Sequence, residues 1–203
     1  MLSPVKTAVL VSGGGTNLQA LIDAAAAGTL KSARLSLVIS DKESAFALER
    51  AKKAGISTEV VVKKGKTQER FEEEVGALLE KNGIELIVLA GFMCILSGAF
   101  TKKYENRIIN VHPSLIPSFC GKGFYGLKVH EAALAYGVKV TGATVHFVNE
   151  IPDGGKIIMQ KAVEIEEGDT PETLQRRVME QAEWKILPAS LEKVAAELLR
   201  SRE

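Results

Sequence analysis

Short apolar runs recur along the first half of the chain, each followed by an amphipathic stretch. Ala8-Val9-Leu10-Val11 is wholly apolar and ends in Ser12-Gly13-Gly14-Gly15. A strand without polar alternation is buried on both faces, as in a parallel sheet. The pattern then predicts a helix over Leu18 to Ala27, capped by Thr16 or Asn17 and closed by Gly28. Strands are expected over Leu35 to Ile39 and Thr58 to Val62, flanking a helix from Ser44 to Ala54. A long helix from Thr67 to Asn82 puts Phe71, Val75, Leu78 and Leu79 on one face and stops at Gly83. Leu86 to Ala90 reads as strand, Ser97 to Tyr104 as helix, and Ile108 to Val111 as strand. This alternation predicts an α/β fold: a Rossmann-like, mostly parallel twisted sheet with right-handed crossovers, flanked by helices.

The pattern changes after residue 112. Ser118 to Gly126 holds three glycines and reads as a loop, followed by a helix from Leu127 to Tyr136 that ends at Gly137. Two β-rich runs, Val138 to Val148 and Lys156 to Val163, are joined by a Pro-Asp-Gly-Gly turn, so an antiparallel C-terminal extension is expected. Thr170 and Pro171 open the last helix, which Pro188 is expected to divide in two. No repeat or linker interrupts the chain. A single domain over 1–203 is expected, with halves 1–112 and 113–203.

The composition narrows the function. With 203 residues the chain is long enough to bury a sizeable core. A formal net charge of +1 gives no global field for nucleic acid or an anionic membrane, although a local site can still hold a phosphate. Met1 to Thr7 is too short and mixed for a signal peptide, and no apolar run is long enough to span a bilayer. The two cysteines, Cys94 and Cys120, form no CxxC, which points to a reducing, cytoplasmic setting. Three histidines and two cysteines make no metal-binding spacing, so no metal is expected.

The candidate chemistry centres on Asn110-Val111-His112-Pro113-Ser114-Leu115-Ile116-Pro117. Pro113 and Pro117 take the chain out of the sheet just where open α/β sheets bind ligands. Asn110 and His112 are two apart and face the same side of an extended backbone. The amide can donate to a developing oxyanion while the imidazole moves a proton. Asp153, in the later turn, is expected to face His112 and to raise its pKa. The glycines of Gly13-Gly14-Gly15-Thr16-Asn17, between a buried strand and a helix, suit close approach of a phosphate to helix N–H groups. Leu18 in the sixth position breaks the dinucleotide fingerprint, and no Gly-Lys-Ser/Thr follows to make a P-loop. Thr144, His146 and Val148 share one strand face; His146 could support the site from there but reads rather as structural, and His130 has an ordinary helical setting. Cys94 reads as a pocket or core residue rather than a nucleophile, and Lys63-Lys64-Gly65-Lys66 as a solvated loop.

As an ordered set, Val11-Ser12-Gly13-Gly14-Gly15-Thr16-Asn17-Leu18, Leu89-Ala90-Gly91-Phe92-Met93, Asn110 to Pro117 and Asp153-Gly154-Gly155 resemble the phosphoribosylglycinamide formyltransferases, folate-dependent enzymes of purine synthesis. The resemblance implies formyl transfer from 10-formyltetrahydrofolate, as co-substrate, to the amine of 5′-phosphoribosylglycinamide. It implies Asn110, His112 and Asp153 as the catalytic group and Gly15, Thr16 and Asn17 as the phosphate loop. Glu183 matches a contact to the substrate ribose. Gln68, Met93, Cys94, Ile95, Leu96 and Asn110, with Asn149, Glu150, Ile151, Pro152 and Asp153, match the folate pocket. Small-molecule partners and a monomer or homodimer follow.

The chain also departs from the family. The segment Ser118 to Val129 is longer than usual. Cys94 replaces a frequent arginine, and Gln68 stands where an arginine can reach the folate tail, which implies weaker binding of that tail. Glu180 to Trp184 is one residue longer. A formyltransferase for methionyl-tRNA or a sugar nucleotide would carry His-Gly-Ser in place of His112-Pro113-Ser114 and an added domain. A nicotinamide oxidoreductase would want the sixth-position glycine and an acid earlier than Asp41. A non-catalytic nucleotide-binding module would not need Asn110, His112 and Asp153 together.

Overall fold

The computed structural model describes residues 3–202. Met1 and Leu2, which open the segment expected not to be a signal peptide, and Glu203, the last residue of the expected domain, lie outside the described residues. The sheet has seven strands in the order β3-β2-β1-β4-β5-β6-β7. These are β1 Val5–Val11, β2 Ala33–Ser40, β3 Ser57–Val60, β4 Leu86–Leu89, β5 Ile108–His112, β6 Val140–Phe147 and β7 Ile157–Glu164. The first five are parallel, and β6 and β7 run antiparallel. The expected α/β sheet with an antiparallel extension is therefore what the chain builds. The order reverses between β1 and β4, the switch point at which such sheets open a crevice.

Helices cover both faces. On one side α1 (Thr16–Ala26), α2 (Phe46–Lys53), α6 (Pro171–Val178) and α7 (Trp184–Arg200) bury Leu18, Leu48, Leu174 and Leu187 against the sheet. On the other, α3 (Gln68–Lys81) and α4 (Gly98–Lys103) bury Phe71, Val75, Leu79 and Phe100. Thr67 and Ser97 cap α3 and α4 by accepting from Arg70 N–H and Phe100 N–H. The short helix α5 (Leu127–Tyr136) closes at Gly137. No helix among the described residues is long and apolar enough to cross a membrane.

Two expectations fail at helix ends. Neither Thr16 nor Asn17 caps α1; the cap is Gly15, at φ 73°, with no side-chain hydrogen bond. That left-handed turn suits glycine, and a Cβ there would stand 2.6 Å from Ala47 Cβ. Pro188 does not divide the last helix but lies inside α7. The break comes earlier, as a π-helical turn over Met179–Glu183 in which Trp184 N–H reaches back to Met179 O. Pro188 needs only Trp184 O to go without its helical partner, and the wide turn has already reset the ladder at Trp184.

The β6–β7 connection doubles back tightly at Gly155, where a Cβ would sit 1.7 Å from Phe147 O. Gly155→Ala should cost about 3 kcal/mol or more, because the obstacle is backbone that cannot step aside. Chemical denaturation of the two proteins checks this.

Candidate active site

Antiparallel pairing of β5 with β6 sets Asn110 opposite His146 and His112 opposite Thr144. The β6–β7 connection then brings Asp153 over the same strand ends. Its Oδ2 lies 3.5 Å from His112 Nδ1 and its Oδ1 3.5 Å from His146 Nε2. Asn110 Nδ2 lies 3.2 Å from His146 Nε2. Asp153 holds φ 57°, an uncommon setting for a residue with a side chain. The three residues expected to meet do meet, with His146 as a fourth.

Partners fix the ring tautomers. His146 Nδ1 is 2.8 Å from Phe147 O, so it carries the hydrogen, and Nε2 accepts from the Asn110 amide when it bears no proton and donates to Asp153 when it does. His112 Nε2 is 2.9 Å from Phe119 O and must donate there. The basic lone pair of a neutral His112 is then on Nδ1, facing Asp153. Gly121 N–H donates to Asp153 Oδ2 at 2.8 Å. The long 118–126 loop thus binds both catalytic candidates through its backbone. Phe119, at φ 49°, anchors it by packing edge-on against Phe124 and Tyr136.

The expected rise in the His112 pKa is reversed. Burial lowers it, and this outweighs the opposing pull of Asp153 and of the Phe119 carbonyl. The Asp153 carboxyl is resisted by burial but still falls below its ordinary value, because His146, His112 and the Gly121 N–H favour its charged form. His130 is not in an ordinary helical setting. It is fully buried, neither ring nitrogen has a partner among the described residues, and burial, followed by repulsion from a protonated His112, pushes it down to about 4.

The glycine loop lies at the switch point. Ser12 Oγ accepts from Met93 N–H at 2.8 Å and ties the β1 and β4 loops together. Gly13 O accepts from Ala47 N–H at 3.0 Å, and Gly14 O accepts from Arg50 Nε at 2.8 Å. The first helical bond of α1 runs from Gln19 N–H to Gly15 O, so the earlier N–H groups face out of the helix end. Asn17, not spent on capping, donates from Nδ2 to Glu183 Oε2 at 2.7 Å. Burial pushes the Glu183 carboxyl up to about 6 against that bond.

The loops after β4 and β6 touch: a Cβ on Gly98 would be 3.3 Å from Glu150 Cβ. They carry Met93, Ile95 and Ile151, all more than half exposed, and Asn149, whose Oδ1 accepts from Ile151 N–H. Pro152 is exposed beside them. Leu96 turns the other way, into the core. Gln68 donates to Ile95 O and Glu72 Oε1, so it holds this loop rather than reaching outward. Cys94 donates to Asp41 Oδ2 at 3.4 Å; burial, then Asp41, pushes its thiol up to about 11, and it remains an unreactive thiol at pH 7. The 63–66 loop is only partly solvated, with Lys66 on Glu74 and Lys63 over the Phe71 ring.

The formyl transferase family model matches residues 5–191. The chain belongs to the formyl transferase family. It is 41% identical to phosphoribosylglycinamide formyltransferase of Haemophilus influenzae, over 90% of this chain and 84% of that one. It is 49% identical to the trifunctional purine biosynthetic protein adenosine-3 of Gallus gallus, over 95% of this chain but only 18% of the relative's length. The crystal structure of glycinamide ribonucleotide transformylase 1 from Symbiobacterium toebii superposes with a TM-score of 0.89 at 39% identity, covering 96% of this chain and 89% of that one.

Within this formyl transferase, sequence reasoning missed the bridging place of His146 and the two backbone groups from 118–126. The alternation Thr144, His146, Val148 carried a signal for the first, since it put the ring on one face of its strand. Nothing in residue types marks a backbone carbonyl.

Glu183 gives a testable stability effect. A carboxyl held at about 6 against an ordinary 4.5 binds its proton more tightly when folded, so stability falls as pH rises between those values and stays lower above them. The difference amounts to about 2 kcal/mol. Glu183→Gln should therefore raise the melting temperature at pH 7.5 and leave it unchanged at pH 4; thermal melts at the two pH values decide it.

Proposed function

We propose that the chain transfers the formyl group of 10-formyltetrahydrofolate to the amine of 5′-phosphoribosylglycinamide, giving formylglycinamide ribonucleotide and tetrahydrofolate. The observation that carries this is the meeting of Asn110, His112 and Asp153 beside a glycine loop at the switch point. Both substrates then bind to one domain. The exposed Met93, Ile95 and Ile151, on adjoining loops beside that cluster, fit the flat apolar body of a folate. The open N–H groups of Thr16 and Asn17 and the Gly15 turn fit a phosphate, and Glu183 fits a ribose hydroxyl. When bound, the folate supplies the formyl group; the protein's share is positioning and proton movement.

Asn110 presents its second amide hydrogen to the formyl oxygen as that oxygen gains charge. His146 fixes the amide by accepting the first. Removing such a donor costs about 100- to 1000-fold in rate. His112, neutral in the resting site, takes the proton leaving the amine at Nδ1, the Asp153 charge stabilises the ring once it is positive, and the ring returns the proton to the folate nitrogen as its C–N bond to the formyl carbon breaks. Burial keeps His112 from holding that proton in advance.

His112→Ala and Asp153→Asn should each lower kcat by about 100-fold or more with unchanged circular dichroism. Release of tetrahydrofolate, followed by absorbance with both substrates present, measures this; undiminished turnover of His112→Ala would sink the assignment. The basic form of His112 is the working one and its pKa lies below the ordinary 6.5. Activity should be level around pH 7 and fall on the acid side with a midpoint below 6.5; a midpoint above it contradicts the neutral resting state.

A further inference from the structure

The loop after β4, residues 92–97, turns Met93 and Ile95 outward, 52% and 65% exposed. The backbone beneath them is tied from three elements. Ser12, just past β1, accepts from Met93 N–H, and Asp41, just past β2, accepts from the Cys94 thiol. The remaining ties all come from the first two turns of α3. Gln68 Nε2 donates to Ile95 O at 3.0 Å, and the Phe71 ring stacks on Phe92 with centroids 6.4 Å apart. Glu72 accepts from Ser97 N–H at 2.6 Å through Oε1 and from the Ser97 hydroxyl at 2.5 Å through Oε2. Gln68, Phe71 and Glu72 are spaced i, i+3 and i+4, so one helical face grips the loop at its start, middle and end.

Glu72 is the centre of that grip. It is only 8% exposed, and a carboxyl group at such depth is unfavourable unless its oxygens are bonded. Its own helix supplies one donor, Gln68 Nε2 at 2.6 Å, and Ser97 supplies the other two. The Ser97 hydroxyl in turn accepts from Phe100 N–H and caps α4. One side chain thus fixes the end of the loop, orients the amide that fixes its middle, and sets the hydroxyl that starts the next helix. Core stability alone gives no reason for an acid here, since an apolar side chain would avoid the desolvation.

We propose that Glu72 is a positioning residue for the folate, holding Met93 and Ile95 as a preformed apolar ledge without touching the ligand itself. This rests on the folate reading of those two side chains. A ligand that meets an ordered ledge need not offset the loss of loop freedom on binding, so its affinity depends on the grip. The reacting groups are held from elsewhere, Asn110 by His146 and both His112 and Asp153 by the 118–126 backbone. Loss of the grip therefore falls on folate affinity and leaves the chemical step and the phosphate end of the site in place.

Glu72→Ala should raise KM for 10-formyltetrahydrofolate by about tenfold or more and leave kcat and KM for phosphoribosylglycinamide within about twofold. Glu72→Gln keeps an acceptor for Ser97 N–H and an amide for its hydroxyl, so it should restore the folate KM. Ser97→Ala, which leaves α3 intact, should raise the same KM by a smaller factor and decides the matter if Glu72→Ala does not fold. Hydrogen exchange of the 92–97 amides, read without ligand, should quicken in Glu72→Ala and not in Glu72→Gln. A folate KM that stays put while the melting temperature falls would overturn the positioning role and leave Glu72 a structural residue. An equal rise in both KM values, or a glutamine variant as poor as the alanine one, would overturn it too. Calorimetry with 10-formyltetrahydrofolate keeps the two levels apart: an unaltered protein that does not bind it overturns the folate reading, while exchange still reports on the grip.

Discussion

One strand pairing governs the site: β5 against β6. It is the point at which a parallel sheet turns antiparallel, and it joins residues that are far apart in the chain. Asn110 and His146 are opposed by register, and the return of β6 toward β7 delivers Asp153 above them. A slip of one residue would turn Asn110 and His112 to the other face and leave the carboxylate over apolar side chains. Close backbone approach at Gly155 on one side and the Val148 N–H bond to Ile108 O on the other hold the register.

Burial acts on Asp153, Glu183 and His112, but the outcome differs with the partners each has. Asp153 accepts the Gly121 N–H and lies between two imidazoles that favour its charged form when protonated. Glu183 receives a single amide and is pushed toward its neutral form. His112 faces two acceptors, which ought to favour the imidazolium, yet desolvation is larger. The site is left with one fixed anion beside one vacant base.

Much of this was legible in the chain. Apolar runs of four or five residues located the parallel strands, and the alternation with helices set the architecture. Asn110, His112 and Asp153 were marked by their places at strand ends and turns. The misreadings have physical causes. Asn17 was credited to a cap because its type suits one, whereas Gly15 took the cap through its backbone and released the amide to Glu183. The sign of the His112 shift depended on how deeply a strand end is covered, which no pattern of residue types reports. Phe119 and Gly121 act through main-chain atoms, so their side chains gave no sign. The local rule for proline predicts a break at Pro188, while the helix yields upstream, over Met179–Glu183.

That upstream turn bears on how such a chain can change length. A five-residue ring in place of a four-residue one takes in one extra amino acid without rotating what lies beyond it by a full helical step. Glu183 consequently keeps its hold on Asn17, and the apolar face of α7 keeps its seat on the sheet. The added residue is taken up as girth rather than as displacement, and the elements on either side of the turn stay where the sheet needs them.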